Sequence, residues 1–386
     1  MAAHDCVTTI PNRVLATILK LVFNTIKTHL LEEFRVTGVR KLWVIENSLE
    51  FVLSRPENID HVFSSDINSM YTELDPHFVE VAVGQEVHFA FQISGFQCVL
   101  TRIYDTPAGN HKDTAFWSPC NVPLNRQRMA VYTIAQIRAL TTFVLYNVYF
   151  TLGTALFKQL HGLPMGGNSS PFLANLALMH RERIFVTQNP TTPLQHQVFR
   201  YLDDFCVVNH PGFADPGVYS LIYPAYTGIV LEVNHVPLTP DILTHAHFLD
   251  LDIWVTKNPK VVYISLFDKR VHFEFDIHKF PDILSNMCPS QITTTFYTEL
   301  VRLYRINTHS AQFLENVFTL TAYCLQERGY DTMTLTVYFF RFLRRIQGRN
   351  HLLPWALDPT YTILAVQFMQ FLANLLLQPV LVPPFA

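Results

Sequence analysis

Two adjacent carboxylates held between two apolar arms constrain this chain more than any other feature. The stretch reads Phe199-Arg200-Tyr201-Leu202-Asp203-Asp204-Phe205-Cys206-Val207-Val208. Its arms are aromatic and β-branched, the composition of short strands, which predicts a β-hairpin with its charge at the tip. Neighbouring carboxylates repel unless a cation sits between them. The usual cation is a hard divalent ion with oxygen ligands, and Mg²⁺ takes one or two protein carboxylates and completes its shell with phosphates and water. Acidic turns are also common as plain solvated turns, so the meaning of this one depends on the rest of the chain.

The 386 residues are 49% hydrophobic and only 15% charged. Such a chain can bury a large core, is not disordered, and has length for two or three domains. The net charge of −3, with 17 histidines counted neutral, leaves any nucleic-acid role to local basic patches. Cys6, Cys98, Cys120, Cys206, Cys288 and Cys324 form no Cys-x-x-Cys pair. That spacing shows neither a zinc knuckle nor a disulfide framework and suggests a reducing compartment. Residues 1–12 carry Asp5 and no apolar core, so no signal-peptide pattern is present.

Periodicity predicts a helix over residues 13–35, where Val14, Leu15, Ile18, Leu19, Val22, Ile26 and Leu30 share one face. A short helix is expected over Ser48–Leu53, then a strand reaching Asp66 and Ile67 and a turn into a helical segment. Alternation between Val87 and Ile93 predicts a strand pair with an irregular tip over 85–123, and the apolar run from Ala130 to Phe157 predicts a helix. His161-Gly162-Leu163-Pro164-Met165-Gly166-Gly167-Asn168-Ser169-Ser170-Pro171 is a glycine-rich loop whose proline starts the next helix. Glycines there let the backbone approach a ligand closely. Val218–Gly228 reads as a helix and Ile229–Asn234 as a strand. His247–Val255 and Lys260–Phe267 read as a hairpin turning at Asn258-Pro259. Three helices follow over Pro289–Gln347, collecting Arg302, Arg305, Arg328, Arg341, Arg344 and Arg345. The apolar tail from Ile363 falls short of a clean membrane span of ~20 residues. It is expected to be a buried helix or to meet a protein partner, and a membrane is not expected.

The order and content of these segments resemble the palm of reverse transcriptases, most of all those of Penelope-like retroelements, the lineage nearest telomerase. Asp66-Ile67-Asn68-Ser69-Met70-Tyr71-Thr72 resembles the first catalytic motif. Gly162–Asn175 resembles the loop and helix that contact template and nucleotide. Tyr201-Leu202-Asp203-Asp204 resembles the catalytic box, and Phe248-Leu249-Asp250 falls where the family has its primer grip. The resemblance runs from about Leu42 to Arg345.

It implies an α/β (α+β) fold, a right-hand polymerase palm with an antiparallel four-stranded sheet, partial fingers and an all-α thumb. The corresponding division is 1–60 as N-terminal helical region or partial fingers and 61–265 as palm, with a fingers-like insertion at about 76–130. The thumb would be 266–350 and the apolar tail 351–386. The implied activity is RNA-directed DNA polymerisation with two Mg²⁺ or Mn²⁺ ions on an RNA template and DNA primer, consuming deoxynucleoside triphosphates, inside the cell and in the nucleus. By resemblance Asp66 and Asp203 would bridge both metals, Asp204 would support the primer-side metal, and the Ile67 carbonyl would be a further ligand. Tyr71 would exclude a ribose 2′-hydroxyl, and Pro164, Met165, Gly166 and Gly167 would lie against nucleotide and template. Phe248, Leu249 and Asp250 would grip the primer, and Arg302, Arg305, Arg341, Arg344 and Arg345 the duplex backbone.

Only 65 residues precede Asp66, few for fingers of the family's kind. Arg35, Arg40, Lys41 and Arg55 are the basic residues near enough in sequence to meet a triphosphate. Two rival readings stand beside the polymerase. One is a catalytically inactive palm–thumb scaffold binding nucleic acid or protein. The other is a metal-dependent glycosyltransferase, which would need an upstream α/β nucleotide-binding alternation that the chain lacks.

Overall fold

The computed structural model describes residues 9–103, 113–119, 129–189, 198–234, 236, 238–275, 277–278, 280–347 and 360–377. The chain opens with the long helix α1 (Thr9–Thr37), whose predicted apolar stripe is buried from Val14 to Leu30. After α2 (Ser48–Ser54) comes β1 (Val62–Ile67), the strand expected to reach Asp66, then the single turn α3 (Met70–Glu73). The helix α4 (Pro76–Ser94) follows, capped by Asp75, whose carboxylate accepts from Phe78 N at 2.7 Å, and ended by Gly95 at φ 72°.

This helix corrects the expected strand over Val87–Ile93. Phe78, Val79, Ala82, Val83, Val87, Ala90 and Phe91 are all buried. A helix apolar on most of its circumference gives local stretches that imitate a period of two. The strand pair itself exists but begins at Cys98, as β2 (Cys98–Arg102) and β3 (Thr114–Ser118); its expected tip lies largely outside the described residues. Cys98 is disulfide-bonded, a correction to the reading of the cysteines, since spacing alone does not show which thiols the fold brings together.

The run from Ala130 to Phe157 is also not one helix. It holds β4 (Met129–Tyr132), α5 (Ile134–Tyr146) and a hairpin of β5 (Tyr149–Leu152) and β6 (Ala155–Lys158). A capping box between Thr133 and Gln136 starts the helix late, and Gly153 at φ 63° lies between the two hairpin strands. Next come α6 (Ser170–Gln188), β7 (Val198–Tyr201) and β8 (Asp204–Val208), the last two forming the hairpin expected around the acidic pair. The expected helix over Val218–Gly228 is α7 (Pro216–Ile222) followed by a short 3-10 turn at Ala225–Thr227, because Pro224 ends the α-helical hydrogen bonding between them. β9 (Leu231–Asn234) completes a four-stranded, wholly antiparallel sheet in the order β7-β8-β1-β9.

The remaining elements are β10 (Ile242–Phe248), β11 (Leu251–Thr256), β12 (Val262–Leu266), α8 (Pro289–Ile306), α9 (Ser310–Gln326), α10 (Thr332–Gln347) and α11 (Thr360–Leu377). The predicted hairpin is therefore β11–β12. His247 and Phe248 instead end β10, because Leu249 takes a left-handed φ of 58° and turns the chain.

By packing, the chain divides into two compact units, one drawn from residues 1–46 and 61–235 and the other from 47–60 and 236–386. In the first, α1, α4 and α6 pack together with α5. One face of the β7-β8-β1-β9 sheet shares their core through Phe63, Ile67, Val198, Phe205 and Val207. α1 is long and apolar enough to cross a membrane by length and composition; its apolar face is spent on this core. In the second unit, α8, α9, α10 and α11 surround a cluster rich in phenylalanine, and β10-β11-β12 form a separate sheet.

α11 accounts for the apolar tail. Leu364, Phe368 and Leu372 are buried, and the Phe368 ring stacks on Phe339 at 3.8 Å, while Ile363, Val366 and Met369 stay exposed on the other side. Phe368→Ala is expected to cost ~3–5 kcal/mol, the range for an aromatic removed from a packed core. Urea unfolding measures this, and a loss under ~1 kcal/mol would show that α11 is not part of this core.

Candidate functional site

Directly opposed residues of an antiparallel sheet point to the same face. The register sets Tyr201 opposite Asp204, Asp204 opposite Asp66, and Asp66 opposite Glu232, so one row crosses all four strands of the first unit's sheet. Three neighbouring members of that row are acidic. Like charges directly opposed on a sheet are destabilising, and Asp203 adds a fourth carboxylate in the adjoining turn. Asp66, Asp203 and Asp204 are half-buried and Glu232 is exposed. The row points away from the core: the alternate residues Ile67, Phe205 and Val207 belong to the hydrophobic cluster.

The turn holding Asp203 is built tightly. Tyr201 pairs with Asp204 across the two residues Leu202 and Asp203, and Leu202 takes φ 54°. A left-handed leucine costs about 1–2 kcal/mol, so surrounding contacts must hold it. Arg200, fully buried, donates from Nη1 to the Leu202 carbonyl at 2.8 Å and to Asn175 Oδ1 at 2.8 Å. Its Nε donates to Glu182 Oε1 at 2.5 Å, and the Tyr223 hydroxyl donates to the same oxygen at 2.7 Å. On the edge of β1, Ile67 N donates to the Asp203 carbonyl at 2.9 Å. Asn234 Nδ2 donates to Asp66 Oδ1 at 2.7 Å, fixing that carboxylate's orientation.

The glycine loop is joined to Tyr71. Leu163 N donates to the Tyr71 carbonyl at 2.6 Å. Gly162 has φ 72°, and a Cβ there would sit 2.4 Å from that same carbonyl oxygen, so only glycine fits. Pro164 is buried; its carbonyl accepts from Gly167 N at 3.2 Å and Ser170 Oγ at 2.5 Å. Asn12 of α1 accepts from Ser169 N at 2.8 Å. Met165 is 73% exposed, and a Cβ on Gly166, at φ 82°, would meet nothing within 4 Å. Burial first, then the charges of Asp203 and Tyr201, push the Tyr71 phenol above its ordinary value. The last two causes place Tyr71 in the field of the acidic turn, and the phenol stays protonated through neutral pH.

Arg40 and Lys41, offered by the sequence for a triphosphate, have structural contacts instead. Arg40 donates to the Leu42 carbonyl and lies over Phe199, and Lys41 pairs with Glu33.

The second unit carries the other candidates. Phe248 is buried against Phe51 at 5.6 Å, and Leu249 and Asp250 form the two-residue turn between β10 and β11. Arg302 pairs with Asp250 and lies 3.5 Å from Glu299, so it holds this turn before it meets any phosphate. Arg305, Arg341, Arg344 and Arg345 are exposed. Arg341 and Arg345 both lie over the Tyr297 ring, at 5.9 and 5.8 Å, which gathers α10 charge beside an aromatic face of α8.

Sequence reasoning missed Glu232, Asn234 and Glu182, and it placed Asn175 in the template loop and helix without tying it to Arg200. Alternation along Leu231-Glu232-Val233-Asn234 could have flagged the first two; nothing in sequence ties Glu182 to Arg200.

No family model matches this sequence, and no curated protein matches it. Among solved structures, the chain is similar to telomerase from Candida albicans in complex with a TWJ fragment of telomeric RNA, at a TM-score of 0.55 and 12% identity, covering 94% of this chain and 54% of that one. It also matches apo telomerase from Candida tropicalis (TM-score 0.42, 10% identity, 94% and 57% covered) and the same species' telomerase with the TWJ fragment (0.41, 12%, 94% and 55%). The fold is thus telomerase-like over most of the chain, a mixed α/β architecture of antiparallel sheets and helices, as expected. The chain spans about half the length of the structures it matches.

Removing one partner of a buried ion pair strands the other. Glu182→Ala is therefore expected to lower stability by ~3–5 kcal/mol, while Glu182→Leu combined with Arg200→Met recovers most of that loss. Thermal unfolding of the two variants measures the difference, and a single variant as stable as the parent would remove the pair's structural role.

Proposed function

We propose that this chain is an RNA-directed DNA polymerase that extends a DNA primer on an RNA template. The observation that carries the reading is the row Asp204–Asp66–Glu232 with Asp203 beside it. Opposed carboxylates persist on a sheet at a cost, and a set of hard oxygen donors on one face suits Mg²⁺ or Mn²⁺. Asp66 and Asp203 would hold both ions, with Asp204 and the Ile67 carbonyl as further donors. When bound, such a pair of ions activates the primer 3′ oxygen and neutralises charge on the triphosphate.

The chain's own residues then supply position. Arg200 holds the acidic turn through the Leu202 carbonyl and Asn234 orients the Asp66 carboxylate, so little reorganisation accompanies reaction. A bond forms between the primer 3′ oxygen and the α-phosphorus, and the bond to pyrophosphate breaks. Tyr71, a neutral phenol beside Asp203, would lie under the sugar and exclude a 2′-hydroxyl by bulk. Met165 and Gly166, on the open stretch of the loop after the buried Pro164, would carry nucleotide and template together with the half-buried Gly167, where a Cβ would meet Ser170 Oγ at 2.8 Å. Leu249 and Asp250 would meet the primer, and Arg305, Arg341, Arg344 and Arg345 the phosphate backbone, contacts that add affinity without reading sequence. Arg302 would act by holding Asp250. The match of the motif residues favours the Penelope-like branch, and a nuclear location belongs to the same proposal. So does a protein partner on the exposed side of α11.

Primer extension on an RNA template with Mg²⁺ or Mn²⁺ tests this. The parent is expected to extend, and Asp66→Asn, Asp203→Ala or Asp204→Ala to lose about 10³-fold or more, because several kcal/mol of charge stabilisation go with the ions. Tyr71→Ala is expected to admit ribonucleotides. Each of Arg341→Ala, Arg344→Ala and Arg345→Ala is expected to lower the salt dependence of template binding by about one unit of slope. Tight template binding without extension would leave the scaffold reading in place of the enzyme.

A further inference from the structure

The β10-β11-β12 sheet has one apolar face, where Ala246, Phe248, Leu251, Ile253, Val255 and Ile264 are buried. Alternation therefore places His245, His247, Asp252 and Trp254 on the other face. His247 lies directly opposite Asp252 in the register, and His245 opposite Trp254. Both imidazoles converge on a single carboxylate oxygen: His245 Nε2 is 2.5 Å from Asp252 Oδ1, and His247 Nε2 is 3.3 Å from the same atom. Each of the three residues offers one ligand atom, and these atoms lie within 4.8 Å of one another.

We propose that His245, His247 and Asp252 form a site for one divalent transition-metal ion of the zinc type. Two imidazole nitrogens and one carboxylate oxygen are a recurrent zinc-site donor set that leaves a fourth position open. Ligand atoms at ~2.0–2.1 Å on a tetrahedron sit ~3.3 Å apart, the spacing His247 already has from Asp252, while the hydrogen-bonded His245–Asp252 pair, at 2.5 Å, would open by ~0.8 Å to admit the ion. The rings are held in place beforehand. His247 stacks on Phe267 at 3.7 Å with an 18° tilt, and His245 meets the edge of Trp254 at 6.4 Å. All three side chains are half-buried, between 17% and 27% exposed, which leaves an ion a way in.

Imidazole donors set this site apart from the acidic row. Mg²⁺ prefers oxygen ligands, whereas nitrogen suits Zn²⁺, Co²⁺ and Ni²⁺. The ion would cross-link β10 to β11 two positions from the Leu249–Asp250 turn and fix that turn's direction. The inference stands whether or not the chain polymerises DNA.

Co²⁺ titration of the metal-stripped full chain, followed in the visible, tests it. The parent is expected to bind one equivalent with the strong absorption of four-coordinate Co²⁺ and to release it to Zn²⁺. His245→Gln and His247→Ala are each expected to weaken binding by at least ~10–100-fold, the loss known even for residues that only support a ligand. Circular dichroism in the near ultraviolet shows whether these variants stay folded, and His245→Gln keeps a side-chain donor toward Asp252. Asp66→Asn with Asp203→Asn is expected to leave the Co²⁺ spectrum unchanged. No saturable Co²⁺ binding by the parent would overturn the site. So would binding that survives both histidine substitutions or disappears with the aspartate pair.

Discussion

The first unit depends on one buried guanidinium. Arg200 lies on the core face of β7, wholly out of water, and reaches Glu182 and Asn175 on α6 and the carbonyl of Leu202. An isolated charge at that depth would be prohibitive. Glu182 neutralises it, and Tyr223 satisfies the same carboxylate oxygen. The pair is a costly way to gain stability, since apolar residues of similar volume serve as well or better. Its distinctive effect is geometric: it ties α6 to the turn that presents Asp203. Burial and the Glu182 charge also push the Tyr223 phenol well above its ordinary value, so it remains a donor.

A second turn repeats the device. Leu249–Asp250 joins β10 to β11 as Leu202–Asp203 joins β7 to β8, each with a leucine at left-handed φ, 58° and 54°. Each is held by an arginine, Arg302 through the aspartate side chain and Arg200 through the leucine carbonyl. Strained turns of this kind persist where the surroundings determine them, and they gather at functional sites. Leu-Asp in place of Gly at such turns gives up local comfort for a side chain in a fixed direction.

The sequence made the acidic hairpin and the strand to Asp66 legible because both are contiguous, aromatic or β-branched, and end in charge. The three helices between Pro289 and Gln347 were legible from their period. α4 was not, since apolar residues cover most of its circumference and its exposed stripe of His77, Val81, Gln85, His88 and Gln92 includes a valine, and neither was the β5–β6 hairpin, whose apolar residues continue those of α5. Glu232 entered the acidic row only through pairing of β9 with β1, a contact no local pattern encodes. The same holds for Cys98, and for His245 and His247, whose shared carboxylate sits on the next strand. Asp66, Asp203 and Tyr71 were readable as residues; the supports that aim them, Arg200, Asn234 and Gly162 against the Tyr71 carbonyl, belong to tertiary structure.

The position of β1 inside its sheet has a consequence for how the chain comes to be folded. β1 is an interior strand, yet its partners β8 and β9 both arrive much later; Asn234 lies 168 residues after the Asp66 it contacts. At ~5–20 residues per second a ribosome needs roughly 10–30 s to supply that length. During synthesis Val62–Ile67 therefore has neither sheet partner yet made, and an unpaired strand edge is a template for other strands. Pairing across so long a loop is also slow in the complete chain. The carboxylate at the end of that strand puts a charge on edges that stay open until β8 and β9 arrive.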